Sequence, residues 1–471
     1  HDTTQSDGEK HHGSSVSMLG KAKANLQRNT PGNSNSRLVS DREKLDFDSI
    51  VKDEPWDNHL INLDERFTVE QVTLESDYCK RVTLKNCANS EKALALLCDQ
   101  WVEVYVEPGD LVSIVGEACT TDGNRVFNFG NNYCNLLITN PDILVTGTVA
   151  SKSVECSRRA VLEQRFMSPE LEETGSFPAE VHGLLSSQMW TRCVLLQEGE
   201  KASPAALVGS LLHEVFQKSI KWGAGRVDQE SLIMEASMLL SESIENLFDI
   251  SASENEILNK MSSHLPAIQN FTDTFMRSSP HPNSAIPYAF NEPQRQTSIP
   301  QVLDIEESIS SPRFGIKGNV DATVQVVLSN PATRQGLDPP SVMPLEYKSG
   351  SRYDEFQHRA QLSLYTLLIS ERYSEYVQHG LIFYSKTDQV QGLKVAKPDI
   401  ASLMIKRNEV AYFLKNGLSL PSMAETSYPC RFCPQQHTCM IWARAVEGRT
   451  SLSGLPQENM FKQLTAHLTA S

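Results

Sequence analysis

Along the chain, period-two alternation gives way to helical spacing, and the two then interleave. Residues 1–60 are rich in Ser, Asn, Asp, Lys and Gly without a sustained period, so they bury too little apolar surface to offset chain entropy; the pattern predicts a disordered tail. From Phe67, short runs alternate apolar and polar positions: FTVEQVTL, KRVTLK, WVEVYVEPGDLVSIVG and NLLITNPDILVTGTVAS, broken at Pro108-Gly109 and Asn140-Pro141. Several short strands at that spacing predict a small β-module over 61–150, with an OB-like β-barrel as its expected form.

After residue 151 the period lengthens. GSLLHEVFQKSIKW sets Leu211, Leu212, Val215, Phe216 and Ile220 at helical intervals, and amphipathic stretches follow at 228–248 and 254–277. The Pro-containing polar stretch 278–298 reads as a linker. Strand-like QVLDIEESI, GNVDATVQVVL and VMPLEYK, a helix at 354–372, the strand GLIFYSK and a helix at 402–415 come next. Helices interleaved with strands predict an α/β or α+β domain over 151–447 built on a mixed central sheet, with 448–471 as a linker beyond it.

Composition narrows the classes. A chain of 471 residues that is 39% hydrophobic can build two or three cored domains. With 43 Lys+Arg against 58 Asp+Glu, the net charge of −15 argues against coating nucleic acid by bulk charge, although a narrow basic passage on an acidic body remains compatible. No run approaches the ~18 apolar residues of a membrane helix, and the N-terminus lacks a secretory apolar region, so a soluble intracellular protein without membrane partners is expected. His1 in place of Met suggests a fragment or a processed chain. No GxxxxGK[ST] phosphate loop occurs.

Chemistry concentrates in a few places. In MPLEYKSG, Glu346 and Lys348 share one face at a strand end, where the carboxylate can bind a hard cation and the ammonium can stabilise charge on a phosphate. Asp321, in KGNVDATVQVV, offers a second carboxylate if its strand pairs with 343–348, making an oxygen-rich site suited to Mg²⁺ or Mn²⁺. Asp304, Glu306 and Glu307 compete with it on sequence alone. His213 can complete such a site or sit as an ordinary boundary histidine. Gln361 and Tyr365, spaced i, i+4, stack on one helical face, from which they could hold a phosphate or a base. Of ten cysteines, Cys430, Cys433 and Cys439 cluster as CRFCPQQHTC, with Cys156 far upstream. Four thiolates suit a [4Fe-4S] cluster or a structural Zn²⁺, and either would staple the two ends of the domain.

The order GxxxH, GxxD, ExK, QxxxY, carried by Gly209/His213, Gly318/Asp321, Glu346/Lys348 and Gln361/Tyr365, resembles the RecB-like branch of the PD-(D/E)xK nuclease superfamily. The C-x₂-C-x₅-C spacing after Cys156 resembles the iron-sulfur staple of that branch. Over residues 65–447, stretches such as CSRRAVL, DIEESISSPRFGIKGNVDATV and CRFCPQQHTCMIWARAVE are similar to the nuclease half of the eukaryotic DNA replication ATP-dependent helicase/nuclease family. The resemblance implies a restriction-endonuclease-like core preceded by an OB-like module. It implies Mg²⁺ or Mn²⁺ held by His213, Asp321, Glu346 and the Tyr347 carbonyl, with Lys348 assisting attack of water. It also implies a [4Fe-4S] cluster on Cys156, Cys430, Cys433 and Cys439.

The expected activity is cleavage of single-stranded and flap DNA in Okazaki-fragment maturation and end resection, in the nucleus and also in mitochondria, with single-strand DNA-binding protein as a partner. Gln361, Tyr365, Arg158, Arg159, Arg352 and Arg359 are the candidate DNA contacts, with Lys218 and Lys221 as further passage walls. Alternatives are an exonuclease V-like iron-sulfur enzyme, a non-catalytic DNA-binding module, and a zinc-stapled interaction protein. Three departures stand out. The helicase motor lies outside the sequence, so ATP-driven unwinding is not expected of this polypeptide. Residues 172–200 form an insertion against the family spacing. Ser351 replaces a basic residue after the ExKxG turn, with Arg352 as the substitute.

Overall fold

The computed structural model describes residues 64–166, 203–223, 225–289, 292–330, 336–350, 355–417, 419–424, 428–431 and 433–466, all within one compact unit, residues 55–471. The expected tail, the 172–200 insertion and Arg352 lie outside the described residues. No helix among the described residues is long and apolar enough to cross a membrane.

The alternating N-terminal runs become β1 (Asp64–Ser76), β2 (Cys79–Asn86), β3 (Lys92–Cys98), β4 (Leu111–Val115), β5 (Cys119–Thr121), β6 (Asn124–Phe129) and β7 (Leu136–Thr139), in the sheet order β5-β6-β3-β2-β1-β4-β7. Their period-two apolar positions, among them Phe67, Val82, Leu84, Ala95, Leu97 and Ile114, fill one buried face. Cys79 and Cys98, register partners on β2 and β3, form a disulfide. The expected barrel is not closed: β5 and β7 are the outer strands, and no pairing joins them among the described residues.

Part of the reason is that the β7 edge is already occupied. Asn408, on the helix Lys397–Lys415, donates its amide to the Leu137 carbonyl at 2.7 Å and accepts from the Thr139 N–H at 3.0 Å, so a side chain satisfies backbone groups that a closing strand would need. Beside it the fully buried Arg407 donates to the carbonyls of Thr139, Asn140, Ile143 and Gly315. Burial lowers the Arg407 pKa to about 9. Gly315, at φ 62°, is required there: a Cβ would stand 2.2 Å from the guanidinium.

The second sheet has the order β14-β13-β12-β11-β10-β9. Its strands are β9 (Ala285–Ile286), β10 (Arg295–Ser311), β11 (Ile316–Leu328), β12 (Ser341–Lys348), β13 (His379–Tyr384) and β14 (Gln389–Lys394), with β8 (Val145–Thr146) parallel to β11. β12 and β13 run parallel across a helical crossover and the other neighbours along that order run antiparallel, giving the mixed sheet the sequence predicts. Three expected boundaries shift. β8 and the helix α1 (Gly147–Lys152) straddle residue 150 and belong to this second sheet. The 278–298 linker carries β9 and the start of β10, and buries Tyr288, whose hydroxyl meets Thr297 Oγ1 at 3.1 Å. Residues 448–466 are no free linker: Leu452 and Phe461 pack with Met423, Met440 and Ala443.

Helices cover both faces. After α2 (Ser157–Phe166) comes α3 (Pro204–Trp222), which begins where Ser203 accepts the Ala206 N–H and Pro204 takes a position needing no donor. With α4 (Gln229–Glu242), α5 (Ile244–Asp249), α6 (Glu254–Ser262) and α7 (Leu265–Phe275) it builds an apolar layer on the sheet around Phe216, Phe271, Tyr347 and Phe383. The crossover helix α8 (Glu355–Tyr373) is buried continuously from Ala360 to Ser370. The 397–415 helix is α9, and the chain ends in α10 (Tyr428–Arg431), α11 (Gln436–Ala445) and α12 (Glu458–Thr465).

Candidate active site

Antiparallel pairing of Ala322 with Leu345 sets Asp321 on β11 opposite Glu346 on β12, so two carboxylates meet in mid-sheet. The Tyr347 N–H donates to Asp321 Oδ2 at 2.7 Å, fixing that carboxylate. Glu346 is 2% exposed; its Oε1 accepts from Lys348 Nζ at 2.6 Å and from Gln361 Nε2 at 2.9 Å, while its buried Oε2 has no hydrogen-bond partner. Burial, then the Asp321 charge, push the Glu346 pKa up to about 7 despite Lys348. Burial opposes the Lys348 charge, but the two carboxylates outweigh it and hold its pKa above the ordinary value.

From α3, His213 reaches the same point, with Nε2 3.0 Å from Asp321 Oδ2. Burial opposes its charge, and Asp321, Glu306 and Glu346 outweigh burial, leaving its pKa raised. An orphaned buried carboxylate oxygen, a second carboxylate and an imidazole make a donor set that fits a divalent cation such as Mn²⁺ or Mg²⁺. His213, Glu306 and Asp321 offer donor atoms all within 4.8 Å of one another. Sequence left the three acids of DIEES unranked, and the structure separates them. Glu307 is buried against Thr323 Oγ1, Arg372 and Tyr373, Asp304 lines an open cavity, and Glu306 alone faces His213.

Gln361 and Tyr365 do share a face, but an interior one. Both are buried, and Gln361 Nε2 donates to Tyr365 Oη at 2.9 Å as well as to Glu346. They brace the carboxylate in this structure rather than present themselves to a strand. The Tyr347 side chain points into the core, stacked on Phe216 with centroids 4.6 Å apart and with its hydroxyl 2.8 Å from Ser385 Oγ.

The described basic residues do not line one passage. Arg158 is 1% exposed, too deep to touch DNA: its guanidinium is engaged by Cys439 Sγ at 3.1 Å, Pro421 O at 3.0 Å and Glu447. Arg159 pairs with Glu163 at 2.8 Å and Lys218 with Glu235. Arg359 is half-buried beside Asp399. Lys221 is exposed and, with Arg277 and His281, lines the open cavity of about 1010 Å³ along β10; none of His213, Asp321, Glu346 or Lys348 lines it.

The four cysteines of the expected staple come from just before α2 (Cys156), from α10, from α11 and from the turn between them, and Arg158 on α2 links the two ends by reaching Cys439; among the described residues no three of their sulfurs lie within 4.8 Å of one another. The charges of Cys156 and Cys430 each act on Cys439, and that of Cys156 on Cys433. Burial raises the pKa of Cys156 and Cys439 and pushes Cys433 up to about 12. Hydrogen bonds already point at three sulfurs: the Arg159 N–H at Cys156 (3.4 Å), Gln457 Nε2 at Cys430 (3.4 Å) and Arg158 Nε at Cys439. Half-buried thiols with hydrogen-bond donors aimed at three of the sulfurs have the chemistry that a bound metal group uses.

Fold and site together define a mixed-sheet α+β protein with a His–carboxylate–lysine cluster on its second sheet. The family profile described as DNA replication factor Dna2 matches residues 86–184 and 189–326, and the chain belongs to that family. It is 31% identical over 79% of its length to the Arabidopsis thaliana DNA replication ATP-dependent helicase/nuclease JHS1. Identity to the DNA2 helicase/nucleases of Gallus gallus and Homo sapiens is 30% over 80% and 29% over 84% of the chain. The chain spans 25% of the plant relative and 36% of each of the other two.

Proposed function

We propose that this chain is a divalent-metal-dependent DNA nuclease of the PD-(D/E)xK kind, cutting single-stranded and flap DNA during replication and repair in the nucleus. The observation that carries the reading is that His213 meets Asp321, Lys348 meets Glu346, and the charges of Asp321, Lys348 and His213 all act on Glu346, whose Oε2 is buried without a partner. His213, Asp321, Glu346 and the Tyr347 carbonyl would hold Mg²⁺ or Mn²⁺, which would supply an activated water and neutralise charge on the phosphate. The protein's own part is electrostatic and geometric. Lys348 sits where negative charge builds on the phosphate. Gln361, braced by Tyr365, and Lys348 hold Glu346 Oε1 and leave Oε2 for the cation. The cysteine centre takes a [4Fe-4S] cluster on Cys156, Cys430, Cys433 and Cys439, which ties α2 to the C-terminal helices.

The test is cleavage of a 5′-flap DNA in Mg²⁺ by Asp321→Ala and Glu346→Ala proteins. Both should lose cleavage while keeping DNA affinity and the broad visible absorbance of the cluster. Cleavage at the parental rate by both variants would leave the non-catalytic DNA-binding reading in possession.

A further inference from the structure

We infer that the outer surface of α4 and α5 is a docking site for a basic amphipathic helix of a partner protein. Of the ten large apolar side chains exposed among the described residues, five stand on these two helices: Ile233, Met234 and Met238 on α4, Ile244 and Phe248 on α5. Phe248 is 85% exposed, Met234 71% and Ile244 64%. Scattered exposed apolar residues are ordinary, but a gathered set with polar groups around it marks an interaction surface. The chain keeps turning through the junction at Ser243, whose N–H donates to the Leu240 carbonyl and whose carbonyl accepts the Leu247 N–H. At about 100° per residue, a helix carried through it would hold all five side chains within one arc of about 140°, along a ridge of about 23 Å. The other side of the two helices is the buried one, where Leu232, Ala236, Leu239, Leu240 and Leu247 join the apolar layer around Phe216 and Phe271.

The charges select the partner. Between Arg226 and Lys260 the sequence carries eight Asp and Glu and no Lys or Arg. Glu235 is turned inward to Lys218, and Glu256 pairs with Lys260, whereas Glu230, Glu242, Glu245 and Asp249 are exposed on the same two helices as the apolar ridge. Such a surface repels phosphates, whether of nucleic acid or of an anionic membrane. A symmetric dimer through it would set these carboxylates against their own copies. A partner's strand finds no edge to pair with, because the backbone groups of a helix are bonded within it. The complementary occupant is a helix laid along the ridge, with apolar anchors at i, i+3 or i+4 and i+7 and with Lys or Arg beside them to meet the carboxylates. Met234 and Met238 suit that occupant, since unbranched thioether side chains repack around the anchors that arrive.

The experiment measures binding of a fluorescein-labelled synthetic helix to the full chain by anisotropy. The probe is a peptide of about 18 residues with leucines on one helical face and lysines on the other, and the control is a scrambled peptide of the same composition that lacks the apolar face. The probe should bind the parent about ten-fold more tightly than the control and lose affinity as salt rises. Met234→Ser and Phe248→Ser should each weaken it about ten-fold, and Glu242→Lys combined with Glu245→Lys by a similar factor. Leu74→Ser, at a comparably exposed apolar position on β1, should change nothing. Melting temperatures should stay parental, because every substituted side chain is exposed. Absent binding, equal binding of the two peptides, or parental affinity in the α4 and α5 variants would overturn the inference. So would a lower melting temperature in the Met234 and Phe248 variants, which would place those side chains in the fold's own packing. A parent that sediments as a dimer, with Phe248→Ser a monomer, would assign the surface to a second copy of this chain instead.

Discussion

The two centres of this protein are built in opposite ways. His213, Asp321, Glu346 and Lys348 sit on a long helix and on adjacent strands whose register fixes their spacing, and the centre carries its own countercharges: Lys348 against Glu346, His213 against Asp321. The cysteine centre draws one thiol from the start of α2 and three from the short C-terminal helices and the turn between them. Arg158, 281 positions from the Cys439 it contacts, is the guanidinium that reaches into it. One centre is organised by the fold; the other, with the cluster proposed above, would organise the fold. Loss of a charge at the first should silence chemistry and spare stability, whereas loss of a ligand at the second should do damage mainly through stability.

The sharpest test of that contrast is Asp321→Asn. Without the carboxylate, flap cleavage should fall about 10³-fold, the scale on which removing a preorganised charge at a reacting phosphate acts. Yet the metal-free protein should melt at the same temperature or higher. Asp321 repels Glu346 across the β11–β12 pair and helps hold the Glu346 pKa near 7; Asn keeps an acceptor for the Tyr347 N–H and removes the repulsion. A large fall in melting temperature would show that Asp321 is structural first.

At the other centre the order reverses. Cys433→Ser should bleach the visible absorbance, destabilise the chain by about 2–5 kcal/mol, as expected for cutting a long-range staple, and weaken DNA binding in step. Melting and affinity both at parental values would contradict the staple. Arg158→Leu should act more mildly in the same direction, by about 2 kcal/mol. The leucine fills the space, but the Pro421 carbonyl loses its donor and the partly exposed Glu447 its main partner. Its cluster should bleach faster in air than the parent's.

How legible each centre was follows from the range of the forces that build it. Glu346 and Lys348 could be placed together from strand geometry alone, and Asp321 by supposing one strand pairing that the Ala322–Leu345 register supplies. The interior role of Gln361 was not legible. An i, i+4 polar pair predicts a shared face but not which way that face points, and α8 is buried all round because α1, the sheet and α9 enclose it. Gly318 shows the same limit. It signalled a motif, but its physical reason, a Cβ that would stand 2.7 Å from the Tyr365 ring, exists only once α8 is docked. Glu306 was named among three acids and could not be ranked, since a left-handed residue inside a strand leaves no mark in apolar periodicity. Arg158 misled because a basic residue beside a cysteine reads as surface charge until the thiols it serves are brought to it from the C-terminus. The open first sheet was missed because edge closure depends on Asn408, far along the chain.

The smallest effect gives the finest measure of how the fold organises the first centre. Tyr365→Phe removes one hydroxyl that accepts from Gln361 Nε2 in a buried place, a loss of about 1 kcal/mol. The ring stays packed against Gly147 and Gly318, so the backbone has no reason to move. If Gln361 is braced by Tyr365 in order to hold Glu346, freeing that amide should lower flap cleavage several-fold at saturating Mg²⁺ and weaken Mn²⁺ binding by a similar factor, with the cluster absorbance untouched. A variant that loses 1 kcal/mol of stability with unchanged cleavage and metal affinity would confine Tyr365 to the core. The carboxylate would then be held by Lys348 and the sheet alone.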